Sequence, residues 1–132
     1  MRALLLVAHG SRDDNSNRIV LELAADLSDK LRGRYDCVKP VFLEFAEPGA
    51  TKGIADCVAC GVDEIVVLPY FLAPGRHVTR DVPGLVKAAR EAHRDVTFTL
   101  LPYAGSAPKL VDAMAAFADV PPSHVNGIAA AG

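Results

Sequence analysis

The chain has 132 residues, 51% hydrophobic and 23% charged, a balance that fits one folded domain and excludes a disordered chain. A net charge of −2 excludes the basic footprint of a nucleic-acid binder. The apolar segment that follows Met1-Arg2 is too short to cross a bilayer and lacks a signal peptide's cleavage site, so no membrane is expected as a partner. Cys37, Cys57 and Cys60 have no regular spacing, which argues against a disulfide framework and for a reducing cytoplasm.

Residues 3–8 are continuously apolar rather than alternating, as expected of a strand covered on both faces. Over 15–31 the positions Ile19, Leu23, Leu27 and Leu31 recur every four, with Val20 and Ala24 beside them. This is an amphipathic helix with Asp13, Asp14 and Asn15 as candidate caps and Gly33 as its close. A second strand is expected over 38–45, and a helix that Pro48 opens and Gly61 stops near residue 60. The third strand spans 62–68 and the third helix 81–93, with Pro83 tolerable in its first turn. A fourth strand over 96–101 precedes a helix over 107–117. Residues 1–118 form the expected domain, and 119–132 a loose tail.

Strand and helix alternate four times. Right-handed crossovers then give an α/β fold, an open parallel sheet of about four strands with helices on both faces. A flavodoxin-like order, 2-1-3-4, is assumed, with strand one beside strand three at the topological switch point. Ligands bind outside the strand C-termini of such sheets. His9 ends the first strand, Glu44 belongs to the second, and His77 follows the third through Tyr70-Phe71-Leu72 and Gly75-Arg76. The three are expected to meet at that edge.

Imidazole suits Fe²⁺, Co²⁺, Ni²⁺ and Zn²⁺, and a carboxylate adds charge and a proton acceptor. Two histidines and one carboxylate leave coordination positions open, unlike a closed structural zinc site. Each residue also has a plainer reading. His9 could bond a backbone carbonyl at a strand end, but Gly10 and Ser11 turn into a helix N-terminus, a place suited to anions. His77 could be a solvated histidine of the loop after Ala73-Pro74-Gly75. Glu44, between Leu43 and Phe45, could be an exposed strand residue; its aromatic neighbours Phe42 and Phe45 favour partial burial. Glu47 is expected to cap or charge the next helix start. Arg12, Arg76 and Arg80 are uninformative singly; together they favour a substrate with several carboxylates. Cys57 and Cys60 close a helix rather than open one, which favours packing over thiolate chemistry, and Cys37 reads as core. His93 suits a helix C-terminus, and His124 falls in the tail. No G-x-S-x-G, Walker or G-x-G-x-x-G pattern is present.

Three ordered motifs carry a resemblance. Val7-Ala8-His9-Gly10-Ser11-Arg12, then Phe42-Leu43-Glu44-Phe45-Ala46-Glu47-Pro48, then Val66 to Leu72 continuing through Gly75-Arg76-His77 to Asp81-Val82-Pro83 are similar to the short, single-domain form of the CbiX/SirB class II tetrapyrrole chelatases. The resemblance covers roughly residues 3–117. It implies insertion of a divalent metal, Co²⁺ or Fe²⁺ with Ni²⁺ as a third candidate, into sirohydrochlorin, an acid-rich tetrapyrrole. The metal is then a substrate, and no permanently bound cofactor is expected. The resemblance further implies His9 and His77 as metal ligands and catalytic bases, and Glu44 as a catalytic acid/base near them. Ser11, Arg12, Arg76 and Tyr103 are the candidate substrate-binding residues, and a homodimer is expected. The chain departs from the family where Gly-x-His-Pro often follows the fourth strand, reading Tyr103-Ala104-Gly105-Ser106-Ala107-Pro108. A carrier of metal or tetrapyrrole would use the same ligands, and turnover separates the two.

Overall fold

A computed structural model describes residues 1–121. Four parallel strands, β1 (Arg2–Ala8), β2 (Cys37–Phe42), β3 (Glu64–Pro69) and β4 (Thr97–Leu100), lie in the order β2-β1-β3-β4 expected from the sequence. The central strand is β1, and its residues 3–8 are all buried, which is why its apolar run does not alternate.

Two cores sit on the two faces. On one, Leu5, Val7, Ile65 and Val67 pack against Ile54 and Cys57 of α2 (Ala50–Ala59) and Val82 and Val86 of α3 (Val82–Ala92). On the other, Leu6, Ala8 and Phe42 meet Val20 and Ala24 of α1 (Asp14–Lys30). The buried line of α1 is therefore Val20–Ala24, flanked by Leu23 and Leu27, while Ile19 is 55% exposed and falls outside the stripe expected of it. Asp13 is the cap, its side chain accepting the Asn15 amide at 3.0 Å.

Several expected boundaries move. The second helix begins at Ala50 with Gly49 as its N-cap, not at Pro48, which follows a cis Glu47–Pro48 bond. The Pro48 carbonyl instead accepts the Phe42 amide at 3.0 Å and folds the loop back on β2. Glu47 is exposed and does not cap this helix. β2 stops at Phe42, so Glu44 lies in the loop beyond the strand. His77 is not in an open loop but begins a π-helical turn, His77–Asp81, that runs straight into α3, with Pro83 in the first turn of that helix. After β4, a 3₁₀ turn (Ala104–Ser106) precedes α4 (Leu110–Ala118), none of whose residues is buried. The expected tail lies, from residue 122 onward, outside the described residues, and His124 with it. Among the described residues no helix is long and apolar enough to cross a membrane.

Candidate active site

The register sets the site. Ala8 pairs with Phe42 and Val7 with Pro69, so β1, β2 and β3 end nearly level. Backbone bonds carry the ladder past the strands: Leu43 N–H to Ala8 O at 3.0 Å, Glu44 N–H to His9 O at 2.8 Å, and Tyr70 N–H to Val7 O at 2.8 Å. Gly10 makes this stitching possible. Its φ is +92°, and a Cβ there would lie 1.8 Å from the Glu44 carbonyl oxygen, so no side chain fits. Gly105, which the sequence did not single out, does the same for the third loop. Its amide donates to Phe71 O at 2.8 Å, and a Cβ would meet Leu72 O at 1.9 Å.

At this edge the structure brings together His9, Glu44 and His77. The imidazole rings of His9 and His77 lie 4.5 Å apart between centroids, and His9 Nε2 is 3.3 Å from Glu44 Oε2. Phe71 stacks on His77 at 5.7 Å, and Phe45 meets the His9 ring edge-on at 5.9 Å. The Arg12 guanidinium lies over the Phe45 ring at 4.8 Å. Phe45 has φ +64°, an unusual conformation for a bulky residue, and was missed by sequence reasoning. Glu44 is exposed, with 56% of its side chain accessible, so the burial expected from its aromatic neighbours does not occur. The turn points its carboxylate across to His9, while Phe42 turns into the core.

Hydrogen bonds assign the rings. A carbonyl oxygen only accepts, and His9 Nδ1 lies 2.9 Å from Gly10 O, so Nδ1 carries the hydrogen and Nε2 faces Glu44. His77 Nδ1 lies 2.7 Å from Asp81 Oδ2. Both histidine side chains are 39% exposed. Among the described residues no group of three or more His, Cys, Asp or Glu is placed to hold a metal ion together. The arrangement is an open pair with an adjacent carboxylate. It presents two imidazoles and a carboxylate at an open edge, groups of the kind that ligate divalent ions and accept protons.

The expected substrate-binding residues fare differently. Arg12 joins the cluster through Phe45. Ser11 lines a cleft of about 200 Å³ with His9, Gly10, Asn17, Tyr70 and Phe71. Its amide, however, is taken by Asn17 Oδ1 at 2.9 Å, and its hydroxyl oxygen accepts the Asp13 amide at 3.0 Å. With Asp13 capping α1 and Asp14 in the first turn, this helix start is filled and negative, and the expected anion site there is not formed. Arg76 is exposed beside His77. Tyr103, half-buried before the 3₁₀ turn, is joined to the histidine pair by no hydrogen bond or ring contact among the described residues; its carbonyl accepts the Ser106 hydroxyl at 2.6 Å. A second cleft, of about 360 Å³, is lined by Asp14, Arg18, Leu21, Phe45 and Glu47. A third hollow, about 170 Å³ between α2 and α3, holds none of the candidate residues. Cys57 is buried, and burial pushes its thiol up, which suits packing. Cys37 is half-buried against the same core, but Cys60 is exposed, contrary to the packing role expected of it.

Comparison with known proteins identifies the company this chain keeps. The CbiX family model matches residues 3–119. A sirohydrochlorin cobaltochelatase of Methanococcus maripaludis is 41% identical over 86 residues, covering 65% of this chain and 58% of that protein. The chloroplastic sirohydrochlorin ferrochelatase of Arabidopsis thaliana is 32% identical over 124 residues, 94% of this chain and 54% of that protein. The chain therefore spans between half and two thirds of the length of these two curated relatives. Among solved structures, a CbiX protein from Marinobacter aquaeolei VT8 superposes with a TM-score of 0.73 at 28% identity, covering 89% of this chain and 94% of that one.

Proposed function

The chain belongs to the CbiX family, and from that premise we propose that it is a sirohydrochlorin metal chelatase, inserting Co²⁺ or Fe²⁺, with Ni²⁺ as a third candidate. The observation that carries this is the His9–His77 pair, 4.5 Å apart at an open sheet edge, with Glu44 at 3.3 Å from His9.

Insertion replaces two pyrrole N–H protons by one M²⁺, so the site must both deliver a cation and accept two protons. In this reading His9 and His77 ligate the incoming metal through Nε2 and pass it to the macrocycle nitrogens. As metal–nitrogen bonds form, Glu44 and the freed imidazoles take the protons and return them to water. A general base of this kind contributes roughly 10²–10⁴-fold. Arg12 and Arg76 are assigned to the acidic side chains of the macrocycle, with Arg12 beside the histidines over Phe45, and Ser11 and Tyr103 to contacts with the rest of the macrocycle. Free thiols at Cys37, Cys57 and Cys60 suit a reducing cytoplasm. One chelatase domain over residues 1–118 is the corresponding unit. A homodimer is the proposed assembly. Val111, Met114 and Phe117 of α4 are 72%, 60% and 84% exposed, a row of apolar side chains that a second copy would cover.

Mixing the protein with sirohydrochlorin and Co²⁺ or Fe²⁺ without oxygen, and following the visible spectrum against a control without protein, tests the proposal. Multiple turnovers are expected. The His77→Ala variant is expected to fold normally, because the side chain is 39% exposed, and to lose at least ~100-fold in rate. Binding spectra without turnover would replace the enzyme by a carrier, and full turnover by His77→Ala would remove that residue from the mechanism.

A further inference from the structure

Asp81 has helical dihedrals, φ −72° and ψ −47°, where the π-helical turn runs into α3, and its side chain makes no capping bond. The preceding π-helical turn supplies a backbone partner there, the Val82 amide donating to the His77 carbonyl. The carboxylate is left for His77, with Oδ2 at 2.7 Å from Nδ1. A carboxylate oxygen facing a ring nitrogen accepts, so in the neutral ring the hydrogen lies on Nδ1 and the lone pair on Nε2. Phe71 stacks on the ring face at 5.7 Å with planes 22° apart. Stacking by itself tolerates a half-turn of the ring, which would exchange Nδ1 with a carbon; the bond to Asp81 does not.

His9 likewise has an acceptor at Nδ1, the Gly10 carbonyl at 2.9 Å, while its Nε2 lies 3.3 Å from Glu44 Oε2. Two unrelated acceptors, one backbone and one side chain, thus meet Nδ1 of the two facing rings. We propose that Asp81 is a positioning residue that keeps His77 in its Nδ1–H tautomer with Nε2 available to the metal. The metal's part in this rests on the chelatase reading above; the tautomer does not. The plainer alternative is an i,i+4 pair that only steadies the turn, as Arg18–Glu22 and Lys52–Asp56 do on their helices.

The test uses the full chain with ¹⁵N-labelled histidine, free of metal and on the alkaline side of imidazole titration. Wild-type His77 is expected to show a protonated Nδ1 and an unprotonated Nε2. In Asp81→Ala that assignment is lost while the His9 signals stay as in wild type, and a Co²⁺ titration weakens by about 10–100-fold. Asp81→Asn, of the same size and with one acceptor oxygen left, is expected to fall between the two; it carries the test if the alanine variant fails to fold. Variants that keep the wild-type His77 tautomer and bind Co²⁺ within about two-fold of wild type overturn the proposal. A wild type that binds no Co²⁺ and makes no product defeats the chelatase reading separately, since the nitrogen spectra still judge Asp81.

Discussion

Replacing Gly10 with alanine is the sharpest perturbation available at this site. Two effects add. A non-glycine residue at φ +92° is strained by about 1–2 kcal/mol, and the new Cβ would sit 1.8 Å from Glu44 O and 3.3 Å from Phe42 Cβ. The Glu44 carbonyl must retreat by more than ~1 Å to reach ordinary contact distance, because neither neighbour is a flexible side-chain end. Retreat pulls on the Glu44 amide, which bonds His9 O at 2.8 Å, and carries the carboxylate away from His9 Nε2. The expected cost is roughly 2–4 kcal/mol, or about 8–16 °C in melting temperature for a domain of this size. A misplacement near 1 Å in the reacting groups costs about 10²-fold in rate. Thermal unfolding followed by circular dichroism, with initial rates of cobalt insertion on the same samples at a temperature where the variant is folded, measures both. A Gly10→Ala protein that melts within ~2 °C of wild type and turns over at the wild-type rate would refute the close approach on which the site's construction rests.

Gly84 provides the opposite case: it lies in α3, exposed, with nothing within 4 Å of where a Cβ would stand, so Gly84→Ala should stabilise by about 0.5–1 kcal/mol and raise the melting temperature without touching turnover. A lower melting point would mean that the helix is strained there. The proposed homodimer is checked by sedimentation of wild type and of a Met114→Ser, Phe117→Ser variant. Dissociation with loss of turnover but an intact circular dichroism spectrum is expected, because α4 contributes no buried residue within the chain. A fully active wild-type monomer would rule the dimer out of the mechanism.

Much of the fold was legible in the sequence because the signals are local or repeat along the chain. The unbroken apolar run of β1 announced a strand buried on both faces, and four strand–helix alternations with right-handed crossovers left few orders for the sheet. His9 could be placed at a strand end, and His77 beyond the next strand, because a parallel sheet gathers its C-termini on one side. Element ends were less legible. Pro48 reads as a helix opener from its own chemistry, but its carbonyl serves Phe42 across the loop, and the helix waits until Ala50.

What the sequence by itself determined is the α/β class and the buried central strand; the meeting of two histidines and a carboxylate at one edge followed from it only with an assumed strand order, which the structure bears out. Those follow from periodicity, turn residues and chain direction, each set by near neighbours. Only the tertiary structure decided that Gly10 abuts the Glu44 carbonyl, that Asn17 takes the Ser11 amide, that a helical turn brings Asp81 onto His77, and that Glu44 stays exposed. These are coincidences in space between groups whose separation along the chain carries no signal. Strand register and loop stitching set them to within an ångström, and the chemistry proposed for the site depends on distances of that size.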